Sequence, residues 1–134
     1  MKVLMIYANK FAYKPTIKTL DFVPEITEAM EYNNVQVAFI QVEEKDKEKA
    51  PTKKFINFIK WLSRKNEFKT IVLHSFGHLS ESKASPEFTQ NILNIFEEKL
   101  KSTGFEVYQT PFGYFLDLDI KAPGYSLARV FKSM

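Results

Sequence analysis

The residues of this chain best suited to chemistry lie close together: His74, Ser75, Gly77, His78 and Ser80 within the stretch LHSFGHLS, which also holds both histidines. Two histidines four apart face the same way on a helix and can share a metal. Here the surrounding pattern is strand then loop, no HExxH accompanies them and no third ligand is near, so no metal site is expected. Ser75 or Ser80 beside His78 suggests a nucleophile with its base. The GxSxG elbow that would expose such a serine is missing, and closeness in sequence is not triad geometry. Asp117 and Asp119 share one face of a strand about 7 Å apart; acid–base work is conceivable, but a solvated face explains them better. No GxGxxG or P-loop signals a nucleotide.

The elements that must position these groups follow from periodicity. KVLMIYA (2–8) is nearly all apolar, as in a strand covered on both faces. FAYK (11–14) is expected as a short second strand, and PEITEAMEYN (24–33) as a short helix. VQVAFIQV (35–42) is β-branched and reads as a strand; the charge run EEKDKEKAP (43–51) reads as a solvated loop. In PTKKFINFIKWLSRKN, Phe55, Phe58, Ile59 and Leu62 make one helical face. FKTIVLHSF (68–76) is a further buried strand. Ser85 and Pro86 are an N-cap and first helical residue, opening a helix that buries Phe88, Ile92, Leu93, Phe96 and Leu100 and stops at Gly104. FEVYQTP is a strand, PFGY (111–114) a turn, FLDLDIK (115–121) a strand with one wet face, and SLARVFKSM a final short helix. The order predicts one α/β domain over residues 1–134, a mixed sheet packed with helices.

Composition narrows the function classes. The chain has 134 residues, thirteen Phe and no Cys, which excludes disulfides, thiol catalysis and Cys-based zinc sites. No apolar run approaches the ~20 residues of a membrane helix, and the N-terminal apolar stretch is too short for a signal peptide. A cytoplasmic protein is expected, without membrane contact. The net charge of +3 permits a polyanionic partner without requiring one. Lys53, Lys54, Lys60, Arg64 and Lys65 offer phosphate contacts or simply a solvated helix face.

Several segments, in one order, resemble the editing domain at the N-terminus of archaeal threonyl-tRNA synthetases. MKVLMIYANKFAYK is similar to its first strand and turn, and VQVAFIQVEEKDK to its central strand, which then becomes charged. SFGHLSESKASPEFTQNIL resembles its F-A-H-L-S run followed by Pro and a helix. TGFEVYQTPFGYF resembles its G-F-x-V…A-P-F-G-Y-Y segment, and YSLARVFKSM its last helix. The similarity spans nearly the whole chain.

The resemblance implies a D-aminoacyl-tRNA deacylase-like fold, a homodimer, and hydrolysis of serine mischarged on threonine tRNA. It also implies the aminoacylated 3′ end of tRNA as partner, an attached synthetase catalytic region, and no cofactor. Serine differs from threonine by one methyl, which gives a synthetic site only ~1–3 kcal/mol, or roughly 10–200-fold; a second site too small for threonine corrects the error. In this family the water is positioned by the 2′-hydroxyl of the terminal adenosine and by main-chain groups, so no triad is needed.

Carried over, Val42 sits by that adenosine. Ser75, Phe76, Gly77 and His78 line the pocket floor, with the backbone of Gly77 and His78 toward the ester. Pro111, Phe112, Gly113 and Tyr114 close the other side. Three positions depart from the pattern. The Tyr-Lys after PFGY is here Phe115-Leu116, and the glutamate of the last helix, which meets the substrate ammonium, is Arg129. The Cys-Lys-Gly-His-Pro before that helix is KAPGYS, keeping only Gly124. Lys121, Asp117 or Tyr125 are candidates to take over the lost roles. The alternative is a diverged member that binds tRNA or serves a structural role without cutting.

Overall fold

The computed structural model describes residues 1–134, and its sheet is organised by one long strand. β1 (Lys2–Lys18) runs antiparallel to β2 (Met30–Gln41) from Lys2↔Gln41 to Tyr13↔Met30. Its other edge is shared: the N-terminal half pairs with β6 (Arg129–Ser133) and the C-terminal half with β5 (Tyr114–Lys121). β2 continues in parallel to β3 (Thr70–Ser75) and then β4 (Glu106–Gln109), giving the order β4-β3-β2-β1-β5. The parallel part requires crossovers, supplied by α1 (Thr52–Asn66) and α2 (Pro86–Ser102).

Both helices cover one face. Phe55, Ile59 and Leu62 of α1 and Ile92, Phe96 and Leu100 of α2 join Val3, Met5, Ile40 and Leu73 in the larger core, with Phe55 and Phe96 stacked at 4.4 Å between ring centroids. Ser85 caps α2 by accepting from the Phe88 amide, and Pro86 follows it. The opposite face carries a smaller cluster of Phe11, Phe39, Val37 and Val72, covered by Phe76, Leu79 and Leu116 from loops and strand ends. On β1 the residues of that cluster change from even positions (Leu4, Ile6, Ala8) to odd ones (Phe11, Tyr13). The switch falls at Asn9, beside Asn34 of β2, whose φ is +57°. A strand keeps its faces only while its pleat is regular; here the sheet curls, and curling brings loops over the second face.

Four expected elements differ. FAYK is not a separate strand but the middle of β1. The helix expected over 24–33 is absent: residues 24–29 are irregular, and Met30–Asn33 already belong to β2. Met30 and Tyr32 alternate with Glu31 and Asn33, a period of two that fits the open edge of the long β1. The final helix is instead β6, with Arg129–Ser133 paired to Lys2–Ile6; an unpaired β1 edge overrides the weak helical pattern of a short tail. The charge run is solvated at Glu44, Lys45 and residues 47–50, yet it is not a plain loop. Glu44–Lys47 form a 3₁₀ turn flanked by buried Glu43, with Asp46 buried within it. Both carboxylates accept from the Met1 ammonium, at 2.7 and 3.0 Å.

Candidate functional site

The parallel strands β2, β3 and β4 end on one side of the sheet, where an α/β fold leaves a crevice for ligands. A cleft of about 640 Å³ lies there, within the range of small-ligand sites. Two chain segments face each other across it. Ser75, Phe76, Gly77 and His78 leave β3 on one side; Pro111, Phe112, Gly113 and Tyr114 approach β5 on the other. Val42 lines it from the end of β2, and Phe115 and Leu116 from the start of β5.

The first wall is held by side chains. Gln41, 3% exposed, clamps the loop after His78 with a single amide. Its Oε1 accepts from the amides of Leu79 (2.6 Å) and Ser80 (2.8 Å), and its Nε2 donates to the carbonyls of Ser80 (2.7 Å) and Ser82 (2.8 Å). Glu43 adds a fifth tie, accepting from the Ser80 hydroxyl at 2.7 Å. Burial alone would raise the Glu43 carboxyl. Hydrogen bonds from the Met1 ammonium and Ser80, with the charges of that ammonium and Lys2, outweigh it and hold Glu43 at about 2. Main-chain bonds extend β2 along the same wall, from Phe76 N to Ile40 O (2.9 Å) and from Ala84 N to Val42 O (3.0 Å).

The second wall is held by a left-handed glycine and by hydroxyl hydrogen bonds. Gly113 has φ +81°, and a Cβ there would lie 3.1 Å from Leu20 and Val23 methyls. Its carbonyl accepts from the amide (2.7 Å) and hydroxyl (2.9 Å) of Thr19. The Tyr114 hydroxyl donates to Pro24 O at 2.5 Å and accepts from Ile26 N at 2.9 Å.

His74 joins the walls. It is the penultimate residue of β3, 8% exposed, and its Nδ1 lies 2.8 Å from the hydroxyl of Thr110, the residue before PFGY. Burial lowers its pKa to about 4, so it is neutral at physiological pH and serves as a hydrogen-bonding strut. His78, by contrast, is exposed at the cleft, its ring edge-on to Phe76 at 5.2 Å.

Arg129 does not line the cleft. On β6 its guanidinium donates to Pro123 O at 3.0 Å, and because the expected helix is a strand, it does not face the site across a helix. Lys121, Asp117 and Tyr125, the candidate replacements, are also outside the lining. Asp119 pairs with Lys10 at 2.8 Å on an exposed strand face. None of Lys53, Lys54, Lys60, Arg64 and Lys65, all on α1, reaches the lining.

Sequence reasoning missed Gln41, Thr110 and Lys83, each at or beside the cleft. A glutamine inside an apolar strand run (VAFIQV) is the one available signal, because a buried amide requires partners. No group of three or more His, Asp or Glu stands together as a metal cage. The arrangement offers main-chain groups, one neutral buried imidazole, one exposed imidazole, the Ser75 hydroxyl, the Lys83 ammonium and apolar walls.

Comparison with known proteins agrees with this layout. A solved structure of c-Myc DNA Unwinding Element Binding Protein aligns over 100% of this chain and 99% of its own, with TM-score 0.69 and 12% identity. At that identity the likeness concerns the fold alone, a single α/β domain with a curled mixed sheet and two helices. The threonine–tRNA ligase of Staphylothermus marinus is 35% identical over 138 residues, and that of Pyrococcus furiosus 31% over 140; each match takes in 100% of this chain. The chain spans only 22% of the length of these relatives. All of residues 1–134 match the archaea-specific editing domain of threonyl-tRNA synthetase, and the chain belongs to that family.

Proposed function

We propose that this domain hydrolyses the ester of serine mischarged on threonine tRNA, acting within or alongside a threonyl-tRNA synthetase in the cytoplasm. The observation that carries the reading is the meeting of two distant segments, 75–78 and 111–114, as opposite walls of one cleft with no carboxylate among its lining residues. Ester hydrolysis needs an oriented water and donors aimed at the oxygen that gains charge. Gly77 and His78 supply main-chain groups on the first wall, and the 2′-hydroxyl of the terminal adenosine orients the water. Val42, Ser75 and Phe76 seat the adenosine and aminoacyl group; Pro111, Phe112, Gly113 and Tyr114 shape the side that excludes the extra methyl of threonine. A homodimer accords with the exposed Ile17, Phe115, Leu118 and Ile120 at the β5 edge of the sheet, apolar surface of the kind that partners cover.

Purified chain should release serine from seryl-tRNA(Thr) and spare threonyl-tRNA(Thr). Release no faster than without protein, at micromolar concentration, would overturn the reading. A second reading, a non-cutting tRNA-binding module, draws support from Leu116, which lines the cleft where the family pattern has a lysine. It predicts salt-sensitive tRNA binding with no serine release.

A further inference from the structure

The charge of the cleft is one-sided. Lys83 is the only lysine or arginine in the lining, and no Asp or Glu shares it. Most lysines near carboxylates are engaged: Lys10, Lys18, Lys47 and Lys101 each hold an acidic partner within 3 Å. Lys83 forms neither an ion pair nor a side-chain hydrogen bond within the chain, although it lies between two anchored residues. Ser82 O is fixed by Gln41 Nε2 at 2.8 Å, and Ala84 N is bonded to Val42 O at 3.0 Å. This fixed backbone carries the side chain over Gly77, where an added Cβ would stand 3.2 Å from Lys83 Nζ and 3.4 Å from Cε. A larger residue at position 77 would push the Lys83 tip aside by a few tenths of an ångström. The result is an ammonium presented beside His78, at the wall where the main-chain donors sit, without an anion of its own.

From this placement we propose that Lys83 is a substrate-contacting residue, its ammonium meeting an anionic oxygen of the aminoacyl-RNA end. The inference rests on the deacylase reading above and adds a residue to it. Two such oxygens arise in the reaction. When water adds to the ester carbonyl carbon, the π pair moves to the carbonyl oxygen and makes an oxyanion. Collapse of that oxyanion breaks the bond to the ribose oxygen, which takes a proton, leaving free serine and tRNA. The other source is a phosphodiester of the tRNA 3′ end. A charge-assisted hydrogen bond from an ammonium serves either one.

The two sources separate on substrate. Single-turnover release of serine should be measured for the wild-type chain, Lys83→Met and Lys83→Arg, on seryl-tRNA(Thr) and on seryl-adenosine, which keeps the ester and lacks phosphate. Lys83→Met should slow release from seryl-tRNA(Thr) by about 10²-fold, and Lys83→Arg should retain most of the wild-type rate. A matching loss on seryl-adenosine assigns the oxyanion; a loss on tRNA alone, with a raised KM and a weaker salt dependence, assigns the phosphate. Lys83→Met within about 3-fold of wild type on both substrates overturns the inference while the deacylase reading stands. A wild-type chain that releases no serine from seryl-tRNA(Thr) overturns both.

Discussion

The two walls of the cleft are built on opposite principles. The 75–84 wall carries the groups with charge or titratable chemistry, His78 and Lys83, and is held by buried polar side chains reaching in from β2: Gln41 and, through Ser80, Glu43. The 110–116 wall presents Pro111, Phe112, Phe115 and Leu116, and owes its shape to a left-handed glycine and to bonds with Thr19, Pro24 and Ile26, most of them through the Thr19 and Tyr114 hydroxyls. Chemistry sits where several hydrogen bonds fix the main chain, and shape selection sits where a turn fixes apolar surface. A buried amide with four partners gives little freedom to the atoms it holds, as a main-chain catalyst requires.

Substitutions that break one wall and spare the other test this division. The largest effect is expected from Gln41→Ala, which removes the clamp and strips the Leu79 and Ser80 amides of their partner. These amides are part-buried, so each so left costs at most ~1–3 kcal/mol. Hydrogen exchange should accelerate at Leu79 and Ser80 and serine release should collapse, while the amides of the PFGY wall stay protected. Next comes Gly113→Ala, which forces a Cβ at φ +81° within 3.1 Å of Leu20 and Val23. Strain of ~1–3 kcal/mol should lower the denaturation midpoint. The accompanying functional change should be a weaker preference for serine over threonine, not a general loss of rate.

The smallest effect concerns Glu43, through pH. Its carboxyl is held at about 2 in the folded chain, against roughly 4.3 when free. A depressed carboxylate adds stability that is complete above its unfolded pKa and fades as the pH falls toward its folded one. In urea titrations wild type should exceed Glu43→Gln in stability at pH 7, and the gap should narrow on acidification from about 4.5 toward 2. A gap that is constant across that window would detach Glu43 from the ion cluster with Met1.

Legibility in the sequence followed the strength of the local signal. α2 was readable from both ends: Ser85-Pro86 opens it, Gly104 with φ +97° follows its last turn, and its apolar stripe has helical spacing. β2 and β3 announced themselves by β-branched runs. The segments at 24–33 and 126–134 did not, because their structure is decided by β1, a 17-residue strand with an edge long enough to recruit both. Pairing to β1, 17–23 residues back for Met30–Asn33 and more than a hundred for β6, leaves no local mark. The buried Glu43–Asp46 pair was hidden for a similar reason: a charge run reads as solvated until a cation, here the Met1 ammonium, is found inside it. Of the site, the HSFGH and PFGY segments were found by resemblance to a family. Their facing geometry, the Gln41 clamp and the His74–Thr110 strut required three dimensions. Arg129, which a family register set at the pocket, lies on β6 with its guanidinium on Pro123 O, a placement no local pattern signals.

The central claim is that the first wall orients, and the substrate's own hydroxyl helps to activate, the water that cuts the ester. Its most direct test is the serine-release assay run with seryl-tRNA(Thr) ending in 2′-deoxyadenosine beside the same tRNA with its ordinary ribose. The account predicts rapid release from the ribose form and a fall of about 10²-fold or more on removal of the hydroxyl. Equal rates from the two tRNAs would contradict it and move the catalytic duty to a protein side chain.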